Sequence, residues 1–200
     1  MSEILQHQDA GVLTLTFNRV ERKNSINVAM YDALATALDK AAGDAATRVV
    51  VIQGHETIFS AGNDIEDFLK NKPAGMDSPV FRFLRGIATF PKPLVAAVCG
   101  PAVGVGTTLL FHCDLVYATP ASTFATPFLN LGLIPEAGSS LLMPRRMVTS
   151  VGPAPADTRA TDLTLGSYGL ALQVDLTDPT PVGLVPRRTR PGQRPTTELV

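Results

Sequence analysis

The chain has 200 residues, of which 45% are hydrophobic and 18% charged, and its formal net charge is −1 at pH 7. This length suits one domain of ordinary globular composition, and the balanced charge argues against a nucleic-acid or anionic-membrane partner. No apolar run reaches the roughly 18 residues of a membrane span, and the first ten residues lack the pattern of a secretory signal. We therefore expect a cytoplasmic protein without membrane or nucleic-acid partners.

Strands and helices are predicted to alternate over the first three quarters of the chain. An apolar residue at every second position predicts a strand over residues 11–17. Asn27 is a plausible N-cap for a helix that ends at Gly43. Further strands are predicted over residues 48–53, 94–99 and 115–117, and further helices over residues 80–89 and 107–111 and directly after Asp64. This alternation predicts an α/β fold.

The composition changes at Met147. From there to the end, prolines recur from Pro153 to Pro195 among arginines and threonines, and no helical period persists. We expect a domain over residues 1–146, followed by an atypical Pro/Arg/Thr-rich tail over residues 147–200 that is poorly ordered. The two cysteines, Cys99 and Cys113, lack metal-ligand spacing, so we expect free thiols and no metal site.

Two loops rich in small residues follow predicted buried strands. One contains Phe59-Ser60-Ala61-Gly62-Asn63-Asp64, and the other contains Gly100-Pro101-Ala102-Val103-Gly104-Val105-Gly106. Open α/β sheets place ligands at such loops, where small residues let backbone N–H groups approach an oxygen atom. On spacing alone, ordinary tight turns explain the glycines better. The glycines complete neither a dinucleotide-binding fingerprint nor a P-loop.

Together with three further segments, these loops resemble the enoyl-CoA hydratase/isomerase (crotonase) superfamily. The other segments are Asn18-Arg19 with Lys23-Asn24-Ser25-Ile26-Asn27, then Phe90-Pro91-Lys92-Pro93-Leu94-Val95-Ala96-Ala97-Val98, and Cys113-Asp114-Leu115-Val116-Tyr117-Ala118. The resemblance covers residues 5–146. It implies a crotonase-like ββα spiral fold, a homotrimer, and an acyl-CoA substrate whose coenzyme A is the only cofactor involved.

The resemblance also implies roles for residues of both loops. The backbone N–H groups of Ala61 and Val105 are expected to form an oxyanion hole for the thioester. The residues expected to line the substrate are Ser60, Ala61, Gly62, Asn63, Asp64, Gly104 and Val105.

The resemblance also bears on the reaction. Thr108 and Phe128 match the positions of the two glutamates of hydratases, and neither can act as a general base, so hydration is not expected. Glu136 follows in an apolar stretch, where burial raises a carboxyl pKa. This segment is similar to the Δ3,Δ2-enoyl-CoA isomerase branch, in which a glutamate at this position moves the proton. We therefore expect Glu136 to be the catalytic base of an isomerase in fatty-acid metabolism.

Alternatives to this interpretation stay open. On the residues alone, Glu136 fits equally well as a first-turn acid of a helix beginning near Gly138. The C-terminal helices that cover the pocket in the family are not recognisable after Arg146. This absence indicates a truncated, frame-shifted or alternatively terminated chain, so that enzymatic activity is uncertain. Another crotonase reaction such as hydration, or a non-catalytic homologue, is the alternative to isomerisation.

Overall fold

The computed structural model describes residues 2–143 and the two-residue strand Ala171–Leu172. Apart from that strand, the predicted tail over residues 147–200 lies outside the described residues. The predictions about its order and about the boundary at residue 146 are therefore untested.

The centre of the fold is a five-stranded sheet in the order β1-β2-β3-β4-β6. β1 (Ile4–Asp9) pairs antiparallel with β2, and all other neighbours in this sheet are parallel. Its other strands are β2 (Val12–Phe17), β3 (Val49–Gln53), β4 (Leu94–Val98) and β6 (Leu115–Ala118). β1 was not predicted, because only its first residue, Ile4, is buried and the apolar alternation that marks a strand is absent.

The longest helix, α1 (Val28–Gly43), begins where the sequence predicts, since the Asn27 side chain accepts a hydrogen bond from the Met30 N–H. Its buried face packs against α3 (Pro79–Thr89), whose Phe83 and Ile87 are fully buried. The short helix α2 (Ile65–Lys70) begins after Asp64, as predicted. The α/β class expected from the sequence is confirmed.

A smaller sheet in the order β5-β7-β8 carries the second small-residue loop. Its strands are β5 (Pro101–Val103), β7 (Thr123–Ala125) and β8 (Ala171–Leu172). After β5 the chain turns at Gly104 into α4 (Val105–Thr108), which continues as a 3-10 helix over Leu109–His112. The helix predicted over residues 107–111 therefore starts earlier than expected, directly at the loop.

The described part of the chain contains neither a long apolar helix nor a cluster of metal-ligating side chains, and both of its cysteines are free. No helix there is long and apolar enough to cross a bilayer. Within the same residues, no group of three or more His, Cys, Asp or Glu side chains could hold a metal ion. Cys99 and Cys113 are both free thiols, as expected.

Candidate active site

The two small-residue loops lie side by side. The Phe59 and Ser60 N–H groups both donate to the Pro101 carbonyl, at 3.1 Å, and the Val103 N–H donates to the Ser60 carbonyl at 2.8 Å. A Cβ atom added at Gly62, whose φ is +90°, would lie 2.7 Å from the Val103 carbonyl oxygen and 3.7 Å from the Gly104 Cα. Glycine is therefore required at position 62 for the close approach of the two loops.

A buried asparagine forms hydrogen bonds to the backbone at the start of the first loop. Asn24 is fully buried, and its amide nitrogen donates to the Ile58 and Phe59 carbonyls, at 3.2 Å each. The amide oxygen of Asn24 accepts from the Arg19 N–H at 2.9 Å. All polar atoms of this amide are thus bound to backbone, which fixes the chain at residues 58–59, where the first loop begins.

The structure corrects the expected role of Ala61. The Ala61 N–H donates to the Lys23 carbonyl at 2.9 Å, so it is not available to a substrate oxygen. Lys23 can accept there because its backbone has a left-handed conformation, with φ of +54°. The prediction that Ala61 supplies an oxyanion-hole donor is therefore wrong.

Two other residues expected to contact substrate have side chains that bind other parts of the chain. The Ser60 side chain is fully buried, donates to the Asn24 carbonyl at 2.8 Å and accepts from the Gly62 N–H at 3.1 Å. Asp64 forms an ion pair with Arg19, at 2.7 Å, and accepts from the Asp67 N–H at the start of α2. The side chains of Ser60 and Asp64 therefore hold the loop in shape, and the expectation that these residues also line a substrate stays a prediction.

Two backbone N–H groups remain at the junction of the loops. Among the hydrogen bonds of residues 2–143, none has the N–H of Asn63 or of Val105 as its donor. Val105 is the first residue of α4, where an N–H group has no partner within the helix and lies at the positive end of the helix dipole. The residues that precede them, Gly62 and Gly104, are in contact where the two loops meet, so the two N–H groups belong to adjacent stretches of backbone.

Glu136 forms a hydrogen bond to the same helix, α4. Its carboxylate accepts a 2.6 Å hydrogen bond from the hydroxyl of Thr108, one turn after Val105 on α4. Burial raises the pKa of the Glu136 carboxyl, and the Thr108 hydrogen bond opposes this only in part. The raised pKa expected from the sequence is confirmed. The Thr108 contact, and not the first turn of the following helix, holds the carboxylate.

The backbone after Glu136 is also held in place. Ala137 has a left-handed conformation, with φ of +52°, which is uncommon for a residue other than glycine. The Nε2 atom of His112 lies 2.7 Å from the Ala137 carbonyl oxygen and donates a hydrogen bond to it. His112 is buried, and its hydrogen-bond partner lies next to Glu136.

Comparisons with known proteins show the family of the chain. The sequence model of the enoyl-CoA hydratase/isomerase family matches residues 7–157. The chain belongs to the enoyl-CoA hydratase/isomerase family. Over 150 residues it is 41% identical to enoyl-CoA delta isomerase 2 of Rattus norvegicus, covering 72% of this chain and 38% of the rat protein. Over 154 residues it is 40% identical to 1,2-epoxyphenylacetyl-CoA isomerase of Escherichia coli K12, covering 72% of this chain and 58% of that protein.

Solved structures of family members have the same fold. The structure of Pseudomonas aeruginosa OdaA superposes with a TM-score of 0.71 at 50% identity, covering 74% of this chain and 60% of that one. A putative enoyl-CoA hydratase/carnithine racemase from Magnetospirillum magneticum AMB-1 superposes with a TM-score of 0.69 at 48% identity, covering 73% and 58%. The crotonase-like fold is thus confirmed, although the chain spans only part of the length of these relatives.

Sequence reasoning missed three of the residues that shape this site of the enoyl-CoA hydratase/isomerase fold. Thr108 was noted only for the glutamate that it replaces, yet its hydroxyl holds Glu136. Asn24 was noted only as a letter in a motif. Tyr31, on α1, donates a short hydrogen bond to the Asn63 side chain. Its only sequence signal is a phenol at a position where the helical period predicts an apolar residue.

Proposed function

We propose that this chain catalyses the Δ3,Δ2 isomerisation of enoyl-CoA thioesters in fatty-acid metabolism. The observation that carries the proposal is the position of Glu136, a carboxylate with a raised pKa that Thr108 holds beside the helix whose first N–H belongs to Val105. A base and an oxyanion site are the two elements that this proton transfer needs, and here the base is hydrogen-bonded to the helix that begins with the oxyanion donor.

The oxyanion hole is assigned to the N–H groups of Val105 and Asn63. Val105 keeps the role expected from the sequence, and Asn63 replaces Ala61, whose N–H is bound to Lys23. Each donor to an oxyanion contributes roughly 3 kcal/mol to transition-state stabilisation. Gly62 and Gly104 contribute by lacking side chains where the loops meet, so that the thioester can approach both donors.

The reaction proposed for this geometry moves one proton. Glu136 takes a proton from C2 of a 3-enoyl-CoA, the electrons of that C–H bond delocalise onto the thioester oxygen, and the two N–H groups stabilise the resulting dienolate. Glu136 then returns the proton to C4, and the double bond forms between C2 and C3. The raised pKa suits this shuttle, because a base with a pKa nearer to neutral also donates the proton efficiently.

Hydration is the less favoured alternative. It requires a second acid–base group to activate and position water, and the two matching positions hold Thr108 and Phe128. The Thr108 hydroxyl donates to Glu136, so it serves the single carboxylate and does not replace a second one. One relative, 2,3-dehydroadipyl-CoA hydratase of Escherichia coli K12, is 35% identical over 153 residues, which keeps hydration as an outcome to test.

Substitution of Glu136 tests the function. We expect the chain to convert a short 3-enoyl-CoA into the 2-enoyl isomer, and Glu136→Gln to lower kcat by about 10²- to 10⁴-fold, the contribution of a general base. Product is measured by chromatography of the CoA esters. Glu56→Gln, at an exposed carboxylate outside the site, is the matched control.

The products decide among the alternatives. A 3-hydroxyacyl-CoA product would indicate hydration. Binding of CoA esters without any turnover would indicate a non-catalytic homologue, and equal rates for wild type and Glu136→Gln would refute the role of Glu136. The homotrimer and the cytoplasmic location expected from the sequence are part of the proposal and require separate measurements.

A further inference from the structure

Tyr31 connects α1 to the first small-residue loop, which contains Asn63. Its side chain is 3% exposed, and its hydroxyl donates to the Oδ1 atom of Asn63. The ring packs against Phe83 of α3, with ring centroids 5.5 Å apart and planes inclined by 53°. The phenol is therefore fixed by packing on one side, and among the described residues its hydroxyl binds the side chain of the residue assigned as an oxyanion donor.

The side-chain carbonyl oxygen of Asn63 can compete with a substrate oxygen for the N–H groups of the oxyanion hole. Asparagine carbonyl oxygens readily accept hydrogen bonds from their own and nearby backbone N–H groups. Where the two loops meet, the N–H groups of Asn63 and Val105 donate to no acceptor among the described residues. A freely rotating Asn63 side chain could bring Oδ1 to these donors, and the thioester oxygen would then have to displace it.

The backbone at Asn63 is held independently of its side chain. The Ile26 N–H donates to the Gly62 carbonyl at 2.7 Å, and the Asp64 N–H donates to the Ile26 carbonyl at 2.9 Å. These bonds on either side fix the position of the Asn63 peptide but leave its side-chain torsions free. Tyr31 supplies the contact that fixes them.

We propose that Tyr31 is a positioning residue that keeps the Asn63 side-chain carbonyl out of the oxyanion hole. The hydroxyl binds Oδ1, which holds this acceptor towards α1 and leaves the Asn63 and Val105 N–H groups open for the thioester. The inference rests on the proposed function only for its assignment of these two donors. Burial, and then the negative charge of Glu136, raise the pKa of Tyr31 well above its usual value, so the phenol stays protonated as a donor.

A double-mutant cycle distinguishes this role from a merely structural one. Tyr31→Phe removes only the hydroxyl, and we expect kcat for a 3-enoyl-CoA to fall roughly tenfold with little change in KM, since one hydrogen bond of about 1.4 kcal/mol is involved. Asn63→Ala removes the competing acceptor. Adding Tyr31→Phe to Asn63→Ala should therefore cost no further activity. Tyr117→Phe, at a 64% exposed tyrosine, is the control for loss of a phenolic hydroxyl.

Two results of the cycle overturn the proposal. One is a kcat of Tyr31→Phe equal to that of wild type. The other is a loss caused by Tyr31→Phe that persists undiminished in the Asn63→Ala background, since this would mean that the hydroxyl acts on the fold and not on the Asn63 side chain. Thermal unfolding of each variant shows whether it is folded at the assay temperature.

A second measurement does not depend on isomerase activity. Acetoacetyl-CoA is an enolisable thioester, and its enolate absorption reports stabilisation of the oxyanion without turnover. If wild type lacks isomerase activity but binds acetoacetyl-CoA as the enolate, a weaker enolate band in Tyr31→Phe that Asn63→Ala restores supports the inference, while the proposed isomerase function fails. If Tyr31→Phe leaves both the enolate band and the Asn63 side-chain amide resonances unchanged, the inference fails and the isomerase proposal survives.

Discussion

The two sides of the candidate site are held in different ways. The first loop, over residues 58–64, is bound to the rest of the chain through nearly every polar group, including contacts to Lys23, Asn24 and Pro101. The segment that leads to Glu136 is mostly exposed. Its exposed apolar side chains are Leu129 at 49%, Leu131 at 52%, Leu133 at 56% and Ile134 at 87%.

This difference indicates which part of the site the described chain specifies by itself. The first loop needs nothing further, because buried hydrogen bonds and glycine contacts determine its geometry. The Glu136 segment is held near α4 by Thr108 and His112, while its other side faces solvent in the described part of the chain. We therefore expect substitutions in the loop to have large effects, and substitutions in the segment other than at the base Glu136 to have smaller and more specific ones.

Apart from replacement of the base Glu136 itself, Gly62→Ala is expected to have the largest effect. A Cβ at this position would lie 2.7 Å from a backbone carbonyl oxygen at a φ of +90°, so one loop must move away from the other. Displacement of one oxyanion donor should lower kcat by about 10²- to 10³-fold. Steady-state turnover of a 3-enoyl-CoA measures this.

Gly75→Ala is the matched control for that substitution. No heavy atom lies within 4 Å of an added Cβ at Gly75, which is in the loop before α3. Its kcat should match that of wild type. Equal, large losses in both variants would show that the chain does not tolerate added methyl groups in general, and the contrast between the two regions would not hold.

The sequence predicted local features better than contacts between distant residues. Asn27 as an N-cap and the helix after Asp64 were predicted because a cap needs only its own first turn. The role of Ala61 was mispredicted because its N–H partner, the Lys23 carbonyl, lies far back in the chain. The Thr108–Glu136 contact spans 28 residues and depends on how the Glu136 segment folds back onto α4. Nothing in the local sequence around either residue reports it.

Arg19→Met tests how strongly the loop is tied to the chain, and should lower the free energy of unfolding by about 3 kcal/mol, since it leaves a largely buried carboxylate unpaired. Arg19 forms ion pairs with Glu3, at 2.9 Å, and with Asp64, and its own side chain is only 12% exposed. Urea unfolding at neutral pH measures the loss. Lys70→Met, which breaks an exposed pair with Glu66, should cost at most about 0.5 kcal/mol.

The effect of Arg19→Met should also depend on pH. The hydrogen bond from the Arg19 side chain, and after it the one from the Asp67 N–H, lower the pKa of the Asp64 carboxyl in the folded state. A lowered folded-state pKa stabilises the protein above the unfolded-state value of about 3.9, and this contribution is lost as the pH falls through the folded-state pKa. The difference between wild type and variant should therefore shrink in acid. A difference that stays constant with pH would show that packing, and not charge, dominates.

Thr108→Val should have a smaller but more specific effect. Without the hydroxyl, the burial of Glu136 is unopposed, so the pKa of its carboxyl rises further. The base acts in its ionised form, so the acid limb of the pH profile of kcat/KM should move to higher pH, with kcat down by about tenfold for one lost hydrogen bond. Thr108→Ser keeps the hydroxyl and should keep the wild-type profile. An unshifted profile in Thr108→Val would mean that the contact does not control the base.

Ile134→Ser is expected to have the smallest effect and is the sharpest test of the contrast. Ile134 is 87% exposed, so its substitution should change the free energy of unfolding by less than about 0.5 kcal/mol. A loss of about 2 kcal/mol, the value for a fully buried aliphatic side chain, would show that Ile134 is covered in solution. If that loss grew with protein concentration, the cover would come from another copy of the chain, because only association makes stability depend on concentration. A loss independent of concentration would mean that residues of the same chain cover Ile134. The Glu136 side of the site would then be as fully determined by the chain itself as the first loop.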